Sequence, residues 1–103
     1  HGPIALIEKD TVVIALATQP SVAQKTISNI LETVARGAKV ILITSKNQNA
    51  DGFDYVIRIP DVDPLLSCIP ATVLLQELAY YVAKEKGCDV DKPRNLAKSV
   101  TVE

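Results

Sequence analysis

Two apolar runs, residues 11–17 (TVVIALA) and 38–44 (AKVILIT), constrain the fold of this chain more than any other feature. Both are rich in β-branched residues, and neither alternates apolar with polar side chains. That pattern is typical of strands buried on both faces of a parallel sheet. Residues 21–36 lie between the runs and have the period of an amphipathic helix. A strand–helix–strand order with short connections predicts parallel strands joined by a crossover.

The helix predicted over residues 21–36 has clear signals at both ends. Ser21 followed by Gln24 fits a capping box at the start, and Gly37 is a good terminator in the left-handed conformation. The apolar side chains fall on one face of this helix; they are Ala23, Ile27, Ile30, Leu31 and Val34.

Shorter elements are predicted around this unit. Pro3 suits a helix start, so residues 3–8 are expected to form one or two helical turns. Residues 45–52 form a polar loop of turn-forming residues. The alternating segment 54–59 predicts a third strand, and its charged Arg58 indicates the edge of a sheet.

A second helix is predicted over residues 71–86. It starts either at Ser67, with Pro70 in its first turn, or at Pro64 with a kink near Pro70. Its apolar face is wider than one sheet contact needs, which predicts a further burial partner, such as another domain or subunit. The members of that face are Val73, Leu74, Leu75, Leu78, Ala79, Tyr81 and Val82.

The predicted fold class is therefore α/β. The expected architecture is a partial doubly wound, flavodoxin-like three-layer sandwich with about three parallel strands and flanking helices. Residues 1–103 are expected to form a single domain, in which residues 88–103 are a tail. The three strands resemble the second half of a doubly wound domain, and His1 in place of an initiator Met adds to the expectation of an excised piece.

Composition excludes several classes of function. The 103 residues carry eleven basic and twelve acidic side chains, a net charge of −1, which leaves no electrostatic footprint for nucleic acid. No uninterrupted apolar run approaches the length of a membrane span, so no membrane helix is expected. Cys68 and Cys88 have no metal-type spacing and are expected to be reduced, buried or inert thiols of a cytoplasmic protein.

Known chemical motifs give no cofactor prediction. The chain has no glycine-rich dinucleotide or phosphate loop and no nucleophile elbow. One histidine and two distant cysteines do not make a zinc site. No cofactor and no metal are therefore expected.

A few charged residues remain as candidates for chemistry. His1 is the sole imidazole, and its ordinary pKa suits proton transfer, although a terminal histidine is commonly just solvent-exposed. Lys92, Arg94 and Lys98 cluster in the tail, where Arg suits phosphate and Lys a point charge or a Schiff base. The alternative is a solvated basic tail with no chemical role.

Two stretches resemble a known enzyme family. They are HGPIALIE at residues 1–8 and DVDKPRNLAKSVTVE at residues 89–103, the latter preceded by LAYY at residues 78–81. The chain resembles the glucosamine-6-phosphate synthases, the isomerizing glutamine–fructose-6-phosphate aminotransferases. The match runs in order along essentially the whole chain and is loosest around residues 45–52.

The resemblance implies a fold and a function. The chain would be the last part of the second sugar-isomerase (SIS) domain of an enzyme that makes glucosamine 6-phosphate and glutamate from fructose 6-phosphate and glutamine. That enzyme would be a homodimer, and its glutaminase domain and first SIS domain would lie elsewhere in the polypeptide. The fragment alone is expected to be inactive, because the glutaminase cysteine, the phosphate-binding loops and the proton-transfer carboxylate are absent.

The resemblance also implies roles for six residues. His1 would help to open the sugar ring, across a subunit boundary, and Lys98 would engage the sugar carbonyl, including as a Schiff base. Four further residues would belong to the active-site tail; they are Arg94, Ala97, Ser99 and Val100. The alternatives are a non-catalytic sugar-phosphate-binding regulatory module and a dimerisation module, in which His1 and Lys98 would be exchangeable without effect.

Overall fold

The computed structural model of the chain describes residues 2–94. Within it, His1–Ala71 and Thr72–Glu103 are two separate compact units. The elements are β1 (Val12–Ala17), α1 (Pro20–Ala35), β2 (Lys39–Ser45), β3 (Tyr55–Ile59) and α2 (Cys68–Glu85), with 3₁₀ turns at Gly2–Leu6 and Pro64–Leu66. Every strand and helix predicted from the sequence is present, and no boundary differs by more than three residues.

The three strands form one parallel sheet in the order β1-β2-β3. Residue 14 of β1 pairs with residue 41 of β2, which pairs in turn with residue 55 of β3. The predicted α/β class with three parallel strands is thereby confirmed. Among the described strands β3 lies at one edge, as the charged Arg58 predicts.

The core lies between α1 and one face of the sheet. Small residues on both sides let helix and sheet approach closely, since Ala15 and Ala17 of β1 face Ala23 of α1. Leu42 of β2 is fully buried in this layer, and Ile30 of α1 is buried on the helix side of it. Burying an aliphatic side chain of this size contributes about 1.5–3 kcal/mol, so this layer holds the unit together.

The start of α1 differs from the prediction. The helix begins at Pro20 with Gln19 as its N-cap, and no side chain caps it. Ser21 lies inside the first turn, so the predicted capping box with Gln24 is wrong. Proline is favoured at the first helical position, because its missing N–H would have no partner there anyway, and it therefore overrides the cap signal one residue later.

The end of α1 follows the prediction, and α2 ends in the same way. Gly37 has φ +92° and Gly87 has φ +70°, the left-handed region that favours glycine. The N–H of Cys88 donates to the carbonyl of Ala83, and that of Gly87 to the carbonyl of Lys84. These two bonds form a Schellman motif that satisfies carbonyls at the end of α2.

The start of α2 resolves the two alternatives left by the sequence. The helix begins at Cys68, so Pro70 lies in its first turn, where an N–H has no intrahelical acceptor. Pro64 instead opens a separate 3₁₀ turn, which Asp63 caps by accepting a hydrogen bond from the N–H of Leu65 at 2.9 Å. The kinked alternative is therefore wrong.

The apolar face of α2 is largely uncovered within the described chain. Val73, Tyr81 and Val82 are each at least half exposed. The stretch Pro64–Glu85 is long and apolar enough to cross a membrane, by length and composition alone, with 11% of its most apolar window buried. The expectation that the chain has no membrane helix stays a prediction. A helix that packs against another protein surface through its apolar face also meets these criteria of length and composition.

Candidate functional site

The structure describes one of the six predicted site residues. Arg94 lies at the end of the described chain and is exposed. The two residues predicted to be catalytic, His1 and Lys98, lie outside residues 2–94. The same holds for three predicted tail residues, which are Ala97, Ser99 and Val100. The roles assigned to these five residues stay predictions.

Arg94 lines a groove formed within the unit Thr72–Glu103. The groove has a volume of about 820 Å³ and an apolar floor of small and aromatic side chains from α2, including Ala79, Tyr80 and Ala83. Lys92 and Arg94 supply its two positive charges and Asp89 a negative one. Tyr80 also packs edge-to-face on Tyr81, with ring centroids 5.4 Å apart.

The segment that leads to Arg94 is held by a local turn. A carboxylate oxygen of Asp89 accepts hydrogen bonds from the N–H groups of Asp91 and Lys92, each at 3.0 Å. This is an Asx-type turn, and it reverses the chain just after α2 ends. The conformation at the start of the predicted tail is therefore set by hydrogen bonds within that segment.

A second recess lies in the unit His1–Ala71, at the carboxyl ends of the three parallel strands. We call it the strand-end cleft. It has a volume of about 220 Å³ and is lined by Thr18, Pro20, Ser45, Asn47, Gln48, Ile59, Pro60, Asp61, Val62, Pro64 and Ser67. The carboxyl edge of an open parallel sheet is where α/β proteins commonly bind ligands.

Arg58 organises one wall of this cleft. Its Nη1 atom donates to three backbone carbonyls of the β2–β3 loop, those of Ser45 at 2.9 Å, Lys46 at 3.1 Å and Gln48 at 2.9 Å. Hydrogen bonds from a charged donor are stronger than neutral ones. The loop is therefore held in one conformation across the end of β2.

Gln19 and Ser67 organise the opposite wall. The side-chain amide of Gln19 donates to the carbonyl of Pro64 at 2.6 Å and to Ser67 Oγ at 2.9 Å. Ser67 is almost fully buried, and its hydroxyl donates to the carbonyl of Pro64 at 2.8 Å. This network ties the start of α1 to the turn before α2.

Sequence reasoning missed the residues that shape this cleft. Thr18 and Gln19 follow β1 directly, and Asp61 follows β3 after one proline. Polar residues directly after parallel strands converge at one edge of the sheet. That rule, applied to the predicted strands, could have found Thr18 and Asp61. The bonds of Arg58 depend on tertiary geometry and had no sequence signal.

The pKa of Lys39 is raised, chiefly by its hydrogen bond to Asp10 and by the charge of that carboxylate at 2.9 Å. Both cysteines are free thiols, as predicted, and both are exposed, so of the two predicted alternatives the buried thiol is wrong and the inert thiol stays a prediction. Residues 2–94 contain no group of three or more His, Cys, Asp or Glu that could hold a metal ion.

Comparison with known proteins shows the family. The model of the SIS domain matches residues 1–83. Glutamine–fructose-6-phosphate aminotransferases (isomerizing) align with the whole chain: that of Clostridium acetobutylicum is 54% identical over 105 aligned residues, and that of Clostridium tetani 58% over 109. In both cases the chain covers 17% of the relative's length.

A solved structure supports the same relationship. The C-terminal domain of glucosamine-fructose-6-phosphate aminotransferase from Francisella tularensis superposes with a TM-score of 0.76 and 35% sequence identity. The superposition covers 87% of this chain and 26% of that one. The described fold is therefore that of the C-terminal region of these proteins.

Proposed function

Because this chain belongs to the SIS domain family, we propose that it serves as the carboxy-terminal part of the isomerase half of a glutamine–fructose-6-phosphate aminotransferase. The complete enzyme would convert fructose 6-phosphate and glutamine to glucosamine 6-phosphate and glutamate. One observation carries this proposal: relatives with that name are 54–58% identical across the entire chain, tail included.

Two residues carry the chemistry in this proposal. The imidazole of His1 would act as the general acid–base group that takes up and returns the proton when the sugar ring opens. The amine of Lys98 condenses with the ketose carbonyl, releasing one water, and hydrolysis of this Schiff base later restores the amine. Arg94, Ala97, Ser99 and Val100 would line the sugar site as part of the tail.

The remainder of the polypeptide would supply what this chain lacks. The chain spans 17% of the length of its relatives, so the ammonia-releasing and phosphate-binding parts would come from elsewhere. The exposed apolar face of α2 supports a further partner, and we propose that the complete protein is a cytoplasmic homodimer. Light scattering of the complete protein tests the dimer.

The proposal is tested by substitution in the complete protein. Lys98→Arg keeps the positive charge but cannot form a Schiff base, so we expect it to abolish glucosamine 6-phosphate formation. His1→Ala removes a general acid–base group and is expected to lower the rate by about 10²–10⁴. Lys92→Arg is the matched control, because Lys92 is exposed in the same tail and is not among the six residues to which the resemblance assigns roles.

Wild-type activity of both Lys98→Arg and His1→Ala would contradict the proposal. That result would favour the alternative, a non-catalytic sugar-phosphate-binding or dimerisation module. Loss of activity in Lys92→Arg as well would show that the assay reports the folding of the tail rather than its chemistry.

A further inference from the structure

We propose that Asp51 is a site of spontaneous covalent modification, at which its link to Gly52 converts from an aspartyl to an isoaspartyl bond. Both residues lie in the β2–β3 loop, in a turn shortly before β3. This inference concerns the chemistry of the main chain and is independent of the aminotransferase function proposed above. It rests on the exposure of the two residues, on the lack of partners for the reacting groups, and on the packing on either side.

The modification takes place in two steps. The backbone nitrogen of Gly52 attacks the side-chain carboxyl carbon of Asp51 and closes a five-membered succinimide ring, while the N–H proton and the carboxyl hydroxyl leave together as water. A solvent water then opens the ring. Opening at the former main-chain carbonyl leaves the chain joined through the former side chain, so the product has the mass of aspartate and one more methylene in its main chain.

The sequence favours this reaction at one aspartate. A glycine that follows an aspartate has no side chain to shield its nitrogen from the carboxyl group. Asp51 is the sole aspartate in the chain that precedes a glycine, and no asparagine precedes one. Asp54, three residues later in the same loop, precedes the bulky Tyr55 and therefore serves as an internal comparison.

The structure leaves both reacting groups accessible. Asp51 and Gly52 are exposed. Among residues 2–94, the carboxylate of Asp51 has no ion-pair or hydrogen-bond partner, and the N–H of Gly52 has no acceptor. The N–H of Asp51 donates to Oδ1 of Asn49 at 2.9 Å. That bond holds the chain before Asp51 and leaves its side chain and the following peptide group free to rotate toward each other.

The chain is anchored on both sides of this exposed pair. Arg58 holds the first half of the loop through backbone carbonyls as far as Gln48. Ala50 and Phe53, the residues that flank the pair, are partly buried and pack against the core. The reaction therefore takes place at the surface, between two segments whose positions the folded chain fixes.

This anchoring gives the modification a structural consequence. A Cβ added at Gly52 would lie 3.2 Å from Cδ2 of Leu31, so the main chain here runs close to α1. Protein interiors are close-packed, and an additional methylene between two anchored segments has to displace one of them. We expect isoaspartate at position 51 to move Phe53 and to loosen the entry into β3.

The test uses the complete protein that contains this chain, incubated at neutral pH and physiological temperature and compared with a fresh sample. Trypsin cleaves after Lys46 and Arg58, so residues 47–58 form one peptide that contains both Asp51 and Asp54. Electron-transfer fragmentation of this peptide distinguishes isoaspartate from aspartate at each position. Methyl transfer from labelled S-adenosylmethionine by a protein isoaspartyl methyltransferase provides a second measurement.

Two matched variants accompany the wild type. Asp51→Glu keeps the charge, but its longer side chain would have to close a six-membered ring, which forms far more slowly. Asp54→Glu makes the same change at an exposed aspartate of the same peptide. Gly52 is left unchanged, because its φ of +89° disfavours any residue with a Cβ.

We expect isoaspartate at position 51 to reach about ten times its level at Asp54, because the glycine nitrogen is unshielded. Asp51→Glu should lose this product and accept less methyl label than the wild type, whereas Asp54→Glu should match the wild type. Hydrogen exchange at the start of β3 should be faster in the aged wild type than in the aged Asp51→Glu variant.

Three results would overturn the proposal or part of it. Absence of isoaspartate at position 51 after incubation, or equal levels at Asp51 and Asp54, would show that the folded loop prevents ring closure. Unchanged hydrogen exchange in a sample that carries the product would overturn the displacement of Phe53. None of these results bears on whether Lys98→Arg is active.

Discussion

At the scale of single residues, one buried polar contact links two strands of the sheet. Thr44 is fully buried in β2, and its hydroxyl donates to the carbonyl of Ala17 in β1 at 2.9 Å. No other described side chain links two strands of the sheet within the core. A buried hydroxyl is tolerated there because it has a partner.

Thr44→Val is expected to lower the free energy of opening of β1 and β2 by about 1 kcal/mol, because it removes the donor and leaves a buried carbonyl with one bond fewer. Hydrogen exchange of the strand amides in the complete protein measures this change. Thr26→Val is the matched control, since Thr26 makes a similar bond to the Val22 carbonyl on the exposed surface of α1. Equal effects of the two variants would contradict the argument.

The ion pair between Lys39 and Asp10 gives a prediction about pH. The pKa of Lys39 is raised, so the pair stabilises the folded chain at pH values below the ordinary lysine pKa, and this contribution is lost as pH rises through the raised value. Both side chains are more than half exposed, so the effect is small and salt weakens it.

Asp10→Asn should return the pKa of Lys39 toward its ordinary value, which an NMR titration of the lysine Cε signal measures. Asn tolerates the positive φ of +66° at this position, so the backbone is preserved. Asp51→Asn, at an exposed carboxylate in the β2–β3 loop, should leave Lys39 unchanged. An unchanged pKa in Asp10→Asn would show that the pair is absent in solution.

At the scale of elements, the two long helices end in the same way but in different surroundings. Both end at a glycine of positive φ. A Cβ added at Gly37 would lie 3.2 Å from the Cα of Lys9, whereas one added at Gly87 would meet no atom within 4 Å. The two positions therefore separate the cost of the left-handed conformation from the cost of a close backbone approach.

Gly87→Ala is expected to cost about 1 kcal/mol, the penalty of placing a Cβ in the left-handed region. Gly37→Ala should cost more, because the backbone of Lys9 must also move. Urea unfolding of the complete protein, followed through the transition that includes this domain, gives both values. A smaller loss for Gly37→Ala than for Gly87→Ala would mean that the turn at Lys9 is not tightly packed.

At the scale of the whole molecule, apolar side chains remain exposed on both units. Ile14 and Leu16 are each 43% exposed on β1, and Ile69 and Val73 of α2 are exposed by more than half. Large apolar side chains exposed on a protein surface mark contact with other protein surfaces when they form patches. The 17% of the relatives' length that the chain spans is consistent with such contacts.

The isolated 103-residue chain is therefore expected to self-associate and to bind a hydrophobic dye. Light scattering and dye fluorescence measure the two effects. The double variant Ile69→Ser/Val73→Ser should reduce both, while Leu65→Ser, outside α2 and 85% exposed, should change them less. A monomeric chain that binds no dye would show that these side chains are covered in solution.

The sequence by itself determined the class of the fold and most element positions. Aliphatic runs without alternation, an amphipathic period and terminal glycines are local signals, and each acts within a few residues. The tail motif DVDKPRNLAKSVTVE likewise predicted the relationship that the comparisons show. The start of α1 also follows a local preference, that of proline for the first helical position. The cap predicted at Ser21 is wrong because this preference applies one residue earlier.

The tertiary structure alone decided which polar groups meet at the carboxyl edge of the sheet. The sequence predicts Arg58 only as a charged residue at the edge of the sheet. Its side chain also donates hydrogen bonds to carbonyls of a loop that lies ten to thirteen residues earlier in the chain. Gln19 bonds to groups 45 and 48 residues away. Such contacts arise because parallel strands bring their ends together across long stretches of chain, and no periodic pattern along the sequence records that distance.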